Sequence, residues 1–312
     1  MNNTYNPPAV KTFFNYAEDN GSFARASLRC VGVGKCRRHE GGTMCPSYMV
    51  TKEEKHSTRG RARMLFEMME GDIVTAGWKD KAVKDSLDLC LSCKGCKSDC
   101  PVNVDMATYK AEFLAHYYKD KLRPLTAYVF GWIYWWSRLA SLMPRTVNFL
   151  LHLPLFSSIA KQIAGIAQQR VLPRFATCTF RDWFKARQPK NIMRPKVILW
   201  PDTFNNYFLP QTLAAGTEVL EAAGFRVVIP PRPLCCGRPL YDFGMLNTAR
   251  KMLLEILHTL KQEIENDVPV VGLEPSCVAV FRDELLNLFP NNEDAKKLKK
   301  NVFTLAEFLE KK

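Results

Sequence analysis

The sequence predicts a multi-domain protein in which an all-helical domain precedes a parallel α/β domain. Two observations support this prediction: apolar residues recur at helical spacing around the cysteines of the first third, and short apolar strands alternate with helices from residue 195 onward. Such alternation is typical of a parallel sheet with crossover helices. With 312 residues and 47% hydrophobic content, the chain can pack more than one core. We expect domains over 1–120 and 195–312, joined by an apolar helical and basic linker over 121–194.

The composition narrows the class of protein. Aromatic residues at 11% and charged residues at 24% exclude a mainly disordered chain, and the net charge of +13 favours acidic partner surfaces. Met1–Phe14 contain neither the apolar core nor the small-residue cleavage site of a signal peptide. We therefore expect a cytoplasmic protein whose eleven cysteines serve metal or redox chemistry rather than disulfides.

One tight run of cysteines has the spacing C-x2-C-x2-C-x3-C and is followed by proline: Cys90, Cys93, Cys96, Cys100 and Pro101. This is the spacing of bacterial ferredoxins, in which three thiolates hold one 4Fe-4S cluster and the fourth reaches a neighbouring cluster. Gly95 is expected to permit a tight backbone turn among these ligands. A zinc site, which pairs its cysteines two plus two, fits this spacing poorly.

A looser group of cysteines precedes that run: Cys30, Cys36 and Cys45, the last followed by Pro46. If the two motifs exchange their last ligands, Cys45 completes the cluster of Cys90, Cys93 and Cys96, and Cys100 joins the looser group. Val33 stands where that second site lacks a cysteine. One 4Fe-4S cluster is thus predicted. Three outcomes stay open for the second site: a three-iron cluster, a four-iron cluster with a non-cysteine ligand such as His39, or no cluster.

The segments around these motifs are helical by pattern. Ser57 or Thr58 can cap the start of a helix that Gly71 ends. A second helix is expected over Lys79–Leu89, and Asp105–Tyr118 places its apolar residues on one face, as a third helix would.

The middle of the chain is rich in apolar and aromatic residues. Leu125–Met143 approaches the ~20 apolar residues that a membrane span requires, but Arg138 inside it is costly, and Val147–Ile166 is broken by charge and proline. We expect buried or interfacial helices here, with membrane-surface contact or docking of another domain as the alternatives. Arg170–Lys196 is basic and contains three prolines, which indicates a solvated linker or a face for acidic lipid or an acidic partner.

Strands and helices alternate in the carboxyl-terminal third. Strands are predicted over Lys196–Trp200, Phe225–Ile229 and Val268–Leu273, and helices over Leu209–Ala223, Met245–Ile264 and Val278–Leu288. In parallel sheets, binding groups collect beyond the carboxyl ends of the strands. That edge would gather two carboxylates and three thiols: Asp202, Glu274, Cys235, Cys236 and Cys277. Thiols at successive strand ends favour a metal, cluster or thiol redox site over buried fillers, whereas we expect Cys178 to be a small hydrophobe.

Several segments carry a family resemblance: EDNGSFAR from Glu18, CVGVGKC from Cys30, CPS from Cys45, HSTRGRAR from His56, WPDTFNN from Trp200 and CCG from Cys235. With them the chain resembles the carboxyl half of FAD-linked D-2-hydroxy acid dehydrogenases of the D-lactate and D-2-hydroxyglutarate type. It also resembles the iron–sulfur subunits of glycolate oxidase and lactate-utilisation oxidoreductases, and the cysteine-rich parts of heterodisulfide reductase.

The resemblance implies an all-helical ferredoxin-like domain followed by a Rossmann-like parallel α/β cysteine-rich domain. It implies that FAD belongs to a domain absent from this chain or to a partner subunit. Two departures stand out. Such proteins carry two Cys-Cys-Gly repeats whereas this chain has one, and Asp202 stands where relatives often place another cysteine.

The leading functional hypothesis is an electron-transfer module of an oxidoreductase, which passes electrons from a reduced flavin to a quinone or another acceptor. Basic residues near the predicted ligands would favour the reduced, more negative cluster: Lys35, Arg37, Arg38, Arg59, Arg61, Arg63, Lys94 and Lys97. No residue is a convincing general acid or base, so no catalytic residue is predicted. Thiol–disulfide catalysis at the Cys-Cys-Gly site is the alternative. A zinc-binding nucleic-acid module explains the charge but not the ferredoxin spacing, so we expect no nucleic-acid partner.

Overall fold

The computed structural model describes residues 9–311. Residues 1–8, which belong to the segment considered above for a signal peptide, and residue 312 lie outside the described part. The chain divides into two compact units: Met1–Leu122 with Tyr241–Leu246, and Arg123–Leu240 with Asn247–Lys312. Residues 123–194, predicted as a linker, group with the second unit, and the predicted three-part division stays a prediction.

All regular secondary structure in the described residues of unit 1 is helical. Its helices are α1 (Phe23–Leu28), α2 (Pro46–Thr51), α3 (Thr58–Glu70), α4 (Lys81–Asp88), α5 (Gly95–Asp99) and α6 (Met106–Tyr117). Helix α3 begins and ends as the sequence predicts: Oγ of Ser57 accepts a hydrogen bond from the amide of Gly60 at 2.9 Å, and Gly71 follows the helix with φ of 78°.

Helix α6 lies at the centre of unit 1. The hydroxyl of Tyr109 donates to the carbonyl of Ala26 at 2.9 Å, and its ring packs edge-on against Phe23. The helix is buried on its polar side as well, since Lys110 and Glu112 are buried, and the sequence pattern did not predict that burial. These polar groups have internal hydrogen-bond partners, as buried charges require.

Unit 2 contains the predicted parallel sheet. Its strands are β1 (Lys196–Trp200), β2 (Arg226–Val228), β3 (Val270–Gly272) and β4 (Val302–Thr304), in the order β2-β1-β3-β4. All three pairings are parallel, so the predicted parallel α/β architecture is confirmed. Strand β4 was not predicted, because it is only three residues long and directly follows a highly charged helix.

The helices of unit 2 cover both faces of this sheet and include most of the predicted ones. They are α7 (Leu125–Gly131), α8 (Ile133–Ala140), α9 (Pro144–His152), α10 (Pro154–Ala164), α11 (Phe180–Ala186), α12 (Thr203–Tyr207), α13 (Pro210–Ala222), α14 (Arg238–Asp242), α15 (Leu246–Thr259), α16 (Lys261–Glu265), α17 (Pro275–Arg282), α18 (Glu284–Leu288), α19 (Glu293–Asn301) and α20 (Leu305–Lys311). The core on one side of the sheet joins strands and helices through fully buried residues: Phe180, Val197, Leu199, Leu213, Leu220, Val271 and Phe308.

Two predicted helices are interrupted, and the segment predicted as a solvated linker is partly buried. The expected helix over Met245–Ile264 is interrupted at Leu260, and the one over Val278–Leu288 is interrupted at Asp283. The basic segment Arg170–Lys196 contains helix α11, whose Phe180 is fully buried in the core, so this segment is anchored rather than a solvated linker throughout.

The apolar middle forms four short helices, α7 to α10. The stretch Leu125–Met143 breaks at Trp132 and its second helix ends at Ala140. Of the two expected kinds of helix, buried or interfacial, α9 and α10 are not the buried kind, since α9 has no buried residue and α10 has only Ala164 buried. Within residues 9–311, none of the helices has the length and apolar character needed to cross a bilayer.

Candidate metal centres

The first group of cysteines lies at the amino-terminal end of helix α3. The Sγ of Cys45 accepts a hydrogen bond from the amide of Thr58 at 3.0 Å and lies 2.8 Å from its Oγ1. The amide of Arg59 donates to the Sγ of Cys36 at 3.4 Å. The free amides and the positive dipole end of a helix favour negative charge, so this position stabilises thiolates.

Cys36 and Cys45 interact directly. The thiol of Cys45 donates to Cys36, and together with the amide of Arg59 it lowers the pKa of Cys36 to about 6, against the effect of burial. The same hydrogen bond, with burial, raises the pKa of Cys45 far above its usual range. The pair therefore holds one proton between two sulfurs, and a metal centre would replace that proton.

Cys100 lies with the first group although it belongs to the second motif. Its side chain lines one small cavity together with Cys30 and Cys36, and Val33 lies at the same cavity. This is the position that the exchange of last ligands requires for Cys100. Cys45, by contrast, contacts Cys36, a member of the other predicted set. His39 is exposed and packs edge-on against Tyr48.

The remaining three cysteines of the tight run approach one another at the start of α5. Cys96 is buried, and burial raises its pKa to about 12, although the amide of Met106 opposes the shift. Negative charge on Cys90 or Cys93 raises it further. The left-handed residues of this loop are Ser92 and Lys94 rather than the glycine.

Gly95 permits the close packing of this turn against Thr43 without adopting a left-handed conformation itself. A Cβ at this position would lie 2.9 Å from Oγ1 of Thr43 and 3.0 Å from its carbonyl oxygen. Any larger residue would push Thr43 away from the loop of Cys93 and Cys96.

Most of the basic residues expected to favour a reduced cluster are held by polar partners. Arg37 and Arg59 both bind Glu54, and Arg61 is buried with its guanidinium bound to Ser47 and the carbonyl of Ser86. The pairs with Glu54 reduce the net positive field at the cysteines.

Asp105 pairs with two further members of that set, Lys94 at 3.1 Å and Lys97 at 3.3 Å. Burial alone would raise the pKa of Asp105, but these ammonium groups and Thr108 outweigh it and hold the pKa at about 2.

One cation that the sequence analysis missed is Lys110. It is 8% exposed, and its Nζ donates to the carbonyl of Cys90 at 2.7 Å and to that of Asp88 at 3.4 Å. Both acceptors are neutral carbonyl groups, so Lys110 is not neutralised by its hydrogen-bond partners, although Asp88 and Asp242 are near enough to oppose the effect of burial on its pKa. The sequence pattern does not indicate this burial, because lysine on an amphipathic helix is ordinarily solvated.

The late cysteines form a third candidate centre, at the carboxyl edge of the sheet in unit 2. Cys235, Cys236 and Cys277 are all buried, and the sulfurs of Cys236 and Cys277 are 3.0 Å apart. The amide of Gly237, whose φ is 77°, contacts the sulfur of Cys235 at 3.5 Å. The structure thus brings together the three thiols that the strand-end rule predicted.

Burial and mutual hydrogen bonding govern the protonation of these thiols. A hydrogen bond with Cys236 and then burial raise the pKa of Cys235. Cys236 gains a lowering hydrogen bond from Cys235, but Cys277 and burial raise its pKa overall. In Cys277 burial outweighs the hydrogen bond from Cys236, and the pKa is raised. Without a metal, all three are neutral thiols.

The two carboxylates predicted at this edge both cap helices. Asp202 accepts hydrogen bonds from the amides of Phe204 and Asn205, both at 3.0 Å, and thereby caps α12. Burial raises its pKa despite these bonds. Glu274 caps α17 through the amide of Ser276 at 3.2 Å. Because both carboxylates are engaged in capping, the three sulfurs are left as the soft donors.

The surroundings of these sulfurs suit an iron–sulfur group. They line a cavity of about 40 Å³ with Trp200, whose buried Nε1 has no hydrogen-bond partner among the described residues. Inorganic sulfide accepts hydrogen bonds, which tune the potential of a cluster. Across residues 9–311, no three His, Cys, Asp or Glu side chains converge tightly enough to enclose a single metal ion. Thiols with nearby N–H groups are the donors that an iron–sulfur cluster requires, and the three thiols of unit 2 would supply three of the ligands of such a cluster.

Comparison with known protein families supports the candidate centres. Residues 26–104 match the family described as "4Fe-4S dicluster domain", and residues 203–282 match "Cysteine-rich domain". These matches confirm the predicted iron–sulfur class of cofactor and the Cys-Cys-Gly domain.

Whole proteins similar to this chain include three of particular interest. D-2-hydroxyglutarate dehydrogenase of Escherichia coli is 25% identical over 83% of this chain and 30% of its own length. The enzyme of the same name from Pseudomonas putida is 26% identical over the same shares of the two chains, 83% and 30%. The probable glycolate oxidase iron-sulfur subunit of Bacillus subtilis is 27% identical over 72% of this chain and 52% of its own length.

The resemblance drawn from the sequence is thereby confirmed. The chain spans about 30% of the length of the D-2-hydroxyglutarate dehydrogenases that it matches. No solved structure matches the chain.

Proposed function

We propose that this chain is an iron–sulfur electron-transfer module that receives electrons from a flavin and passes them to a quinone or another acceptor. The observation that carries the proposal is the convergence at α3: the sulfurs of Cys36 and Cys45 meet there, and Cys100 from the second motif lines the same cavity as Cys30 and Cys36. A cluster bound at such thiolates would take up and release single electrons.

The protein's own groups support this role. Helix α3 directs backbone amides at the sulfurs of Cys36 and Cys45, which stabilises the thiolates that iron requires. Lys110 adds a positive charge behind the loop of Cys90. No catalytic residue is assigned, so we expect the chain alone not to oxidise a hydroxy acid, and we assign FAD to a partner subunit or domain.

The ligand sets remain part of the proposal. We assign Cys45, Cys90, Cys93 and Cys96 to one 4Fe-4S cluster, and Cys30, Cys36 and Cys100 to a second site. Cys235, Cys236 and Cys277 are assigned to a third centre in unit 2. The contact of Cys45 with Cys36 argues for the alternative that Cys45 serves the second site.

Anaerobic purification with iron and sulfide analysis, followed by EPR of the reduced protein, tests the function. We expect labile sulfide and a reduced-cluster EPR signal that Cys93→Ser weakens and that the matched variant Cys178→Ser, at the exposed lone cysteine, leaves unchanged. A folded protein without iron would refute the proposal. Loss of the same signal in Cys45→Ser and Cys93→Ser, with the other signal retained, would establish the exchange of ligands.

Thiol–disulfide catalysis in unit 2 is a second candidate, favoured by the contact between the sulfurs of Cys236 and Cys277. Oxidation of these two thiols to a disulfide would release two electrons and two protons to a disulfide substrate, which would be reduced to two thiols. Turnover of a small disulfide that Cys277→Ser abolishes, without loss of the EPR signals, would support this candidate over electron relay.

We also propose that helices α9 and α10 contact an anionic membrane surface. Large apolar side chains on and beside them face solvent: Leu142, Met143, Phe149, Leu150, Leu155, Phe156, Ile159 and Ile163. No acidic residue occurs between Asp120 and Asp182, whereas Arg145 and Lys161 lie on these helices. Exposed apolar faces with basic residues are typical of helices that lie in the interface of anionic lipid.

A further inference from the structure

A groove in unit 1 borders the first cysteine group, and Cys30 is the one proposed ligand among its lining residues. Its volume is about 640 Å³, within the range of about 300–1,000 Å³ that is typical of small-molecule sites. The end of α1, the loop that follows Cys30 and the outer side of α3 form its walls. Unit 1 alone supplies every lining residue, so the groove is complete within that unit.

The groove combines apolar walls with a cationic edge. Its apolar lining comes from Leu28, Val31, Ala62, Met64 and Phe66. The lining carries three cationic side chains, Lys55, Arg59 and Arg63, and one carboxylate, Glu54, which pairs with Arg59. Lys55 and Arg63 pair with Glu53 and Glu67, which are outside the lining, so the lining itself keeps an excess of positive charge. Such a lining suits a flat apolar ring that acquires negative charge. The apolar walls would bind the ring, and the cationic side chains at the edge of the groove would stabilise the negative charge.

Cys30 connects this groove to the cysteine cavity. Its side chain is half-buried and lines both spaces, as Arg59 does. The amide of Arg59 contacts the sulfur of Cys36 while its Nε binds Glu54 at 2.6 Å on the groove side. A molecule in the groove would therefore lie against the backbone and sulfur of a proposed cluster ligand.

The edge of the groove is held in place. Arg63 lies over the ring of Phe66, 5.0 Å from its centroid, and pairs with Glu67 one turn along α3. Gly60 lets the turn before α3 approach closely, because a Cβ there would lie 2.0 Å from the carbonyl oxygen of Glu54. The α3 side of the groove is thus a closely packed surface.

We propose that this groove binds the ring of a quinone beside Cys30, which makes it the exit of the electron-transfer function proposed above. Reduction of the quinone to the quinol takes up two electrons and two protons. The proposed function supplies the electrons one at a time, and water supplies the protons through the open side of the groove, where Val31 and Gly32 are exposed. The cationic edge stabilises the anionic, one-electron-reduced ring between the two transfers.

Binding of menadione to the full chain tests the groove directly. We expect saturable quenching of tryptophan fluorescence in both the iron-free and the iron-loaded protein. Leu28→Trp fills the groove from a position that is already partly exposed, and Ile73→Trp adds the same bulk at an exposed turn elsewhere in unit 1. Leu28→Trp should weaken menadione binding about tenfold or more, because the larger side chain occupies the space of the ring, whereas Ile73→Trp should not weaken it.

A second measurement separates this inference from the proposed function. Reduced protein is mixed with menadione, and reoxidation is followed by the visible absorbance. Slower reoxidation in Leu28→Trp and Arg63→Gln, with unchanged EPR signals, would support the groove as the place where electrons leave the protein. The control is Arg25→Gln, at an exposed position of α1, which should reoxidise at the parent rate. Absence of saturable binding, or equal binding to Leu28→Trp, overturns the inference whatever the iron content. Binding of FMN in place of menadione would also overturn it. Binding of menadione to a protein that never incorporates iron would uphold the groove and refute only the electron-transfer function.

Discussion

The ammonium of Lys110 donates a 2.7 Å hydrogen bond to the carbonyl oxygen of Cys90. Burial lowers the pKa of this lysine, although nearby acidic groups and Cys90 oppose the shift. A buried cation beside a cysteine loop is costly unless it serves structure or stabilises added negative charge. We therefore expect Lys110 to raise the reduction potential of a cluster at the tight run.

Replacing Lys110 by methionine keeps its length and removes its charge. At an effective dielectric constant of about 20, a unit charge roughly 8 Å from the added electron contributes about 2 kcal/mol, which corresponds to about 90 mV for one electron. Redox titration monitored by EPR should therefore show a lower midpoint potential in Lys110→Met. The charge-preserving variant Lys110→Arg and the exposed control Lys119→Met should stay close to the parent value. An unchanged potential in Lys110→Met would show that the residue is only structural.

The cap of α3 should control both stability and cluster incorporation. Ser57→Ala removes the acceptor for the amide of Gly60 and should lower the free energy of unfolding by about 1 kcal/mol. Because Cys36 and Cys45 depend on the first amides of the same helix, iron content after reconstitution should fall as well. Urea unfolding and iron analysis measure the two effects. Ser22→Ala, at the cap of the short helix α1, is the matched control and should retain the parent iron content.

Membrane contact is checked by sedimentation with lipid vesicles. The protein should bind vesicles that contain phosphatidylglycerol and should bind neutral phosphatidylcholine vesicles much more weakly, with release at high salt. Leu155→Glu, on α10, should reduce binding because it places a negative charge in the apolar face, whereas Met193→Glu, at a fully exposed position outside these helices, should change it little. Equal binding to both lipids would contradict the electrostatic part of the proposal.

Unit 2 should become less stable as pH falls below 4, in part through Glu307. A hydrogen bond from Arg282, and then one from the amide of Thr304, lower the pKa of Glu307 to about 2. A lowered folded-state pKa contributes stability above the unfolded value of about 4.3, and this contribution disappears as pH falls toward about 2. Solvent screens this partly exposed pair, so the effect is modest. Glu307→Gln should destabilise the protein at pH 7 and lose that deficit near pH 2, as thermal unfolding would show; the same deficit at both pH values would exclude an ionic origin.

Much of the local structure could be predicted from the sequence. The cap at Ser57, the stop at Gly71 and strand β1 follow from short-range preferences that the structure obeys. The predictions fail where contacts between distant segments determine which residues are buried. Helix α6 is buried on its polar side as well, and the burial of Phe180 anchors part of the basic segment in the core. A periodic pattern cannot indicate how many neighbours will cover a helix.

The candidate centres could likewise be predicted from the sequence only in part. Spacing alone identified the tight cysteine run, and the strand-end rule brought Cys235, Cys236 and Cys277 to one edge. Neither the contact of Cys36 with Cys45 nor the groove beside Cys30 could be read from spacing, because both depend on how α3 meets residues from other segments.

The amino-acid sequence by itself determined that the chemistry is iron–sulfur or thiol chemistry. The reason is that the spacing of thiols in the ferredoxin motif, and their position after strands, follow from the order of residues along the chain. Tertiary structure alone decided which sulfurs meet, which charges are neutralised by carboxylates, and that the buried amino group of Lys110 lies next to the Cys90 loop. The physical reason is that electrostatic and packing energies depend on distances through space, and a chain reaches those distances only by folding.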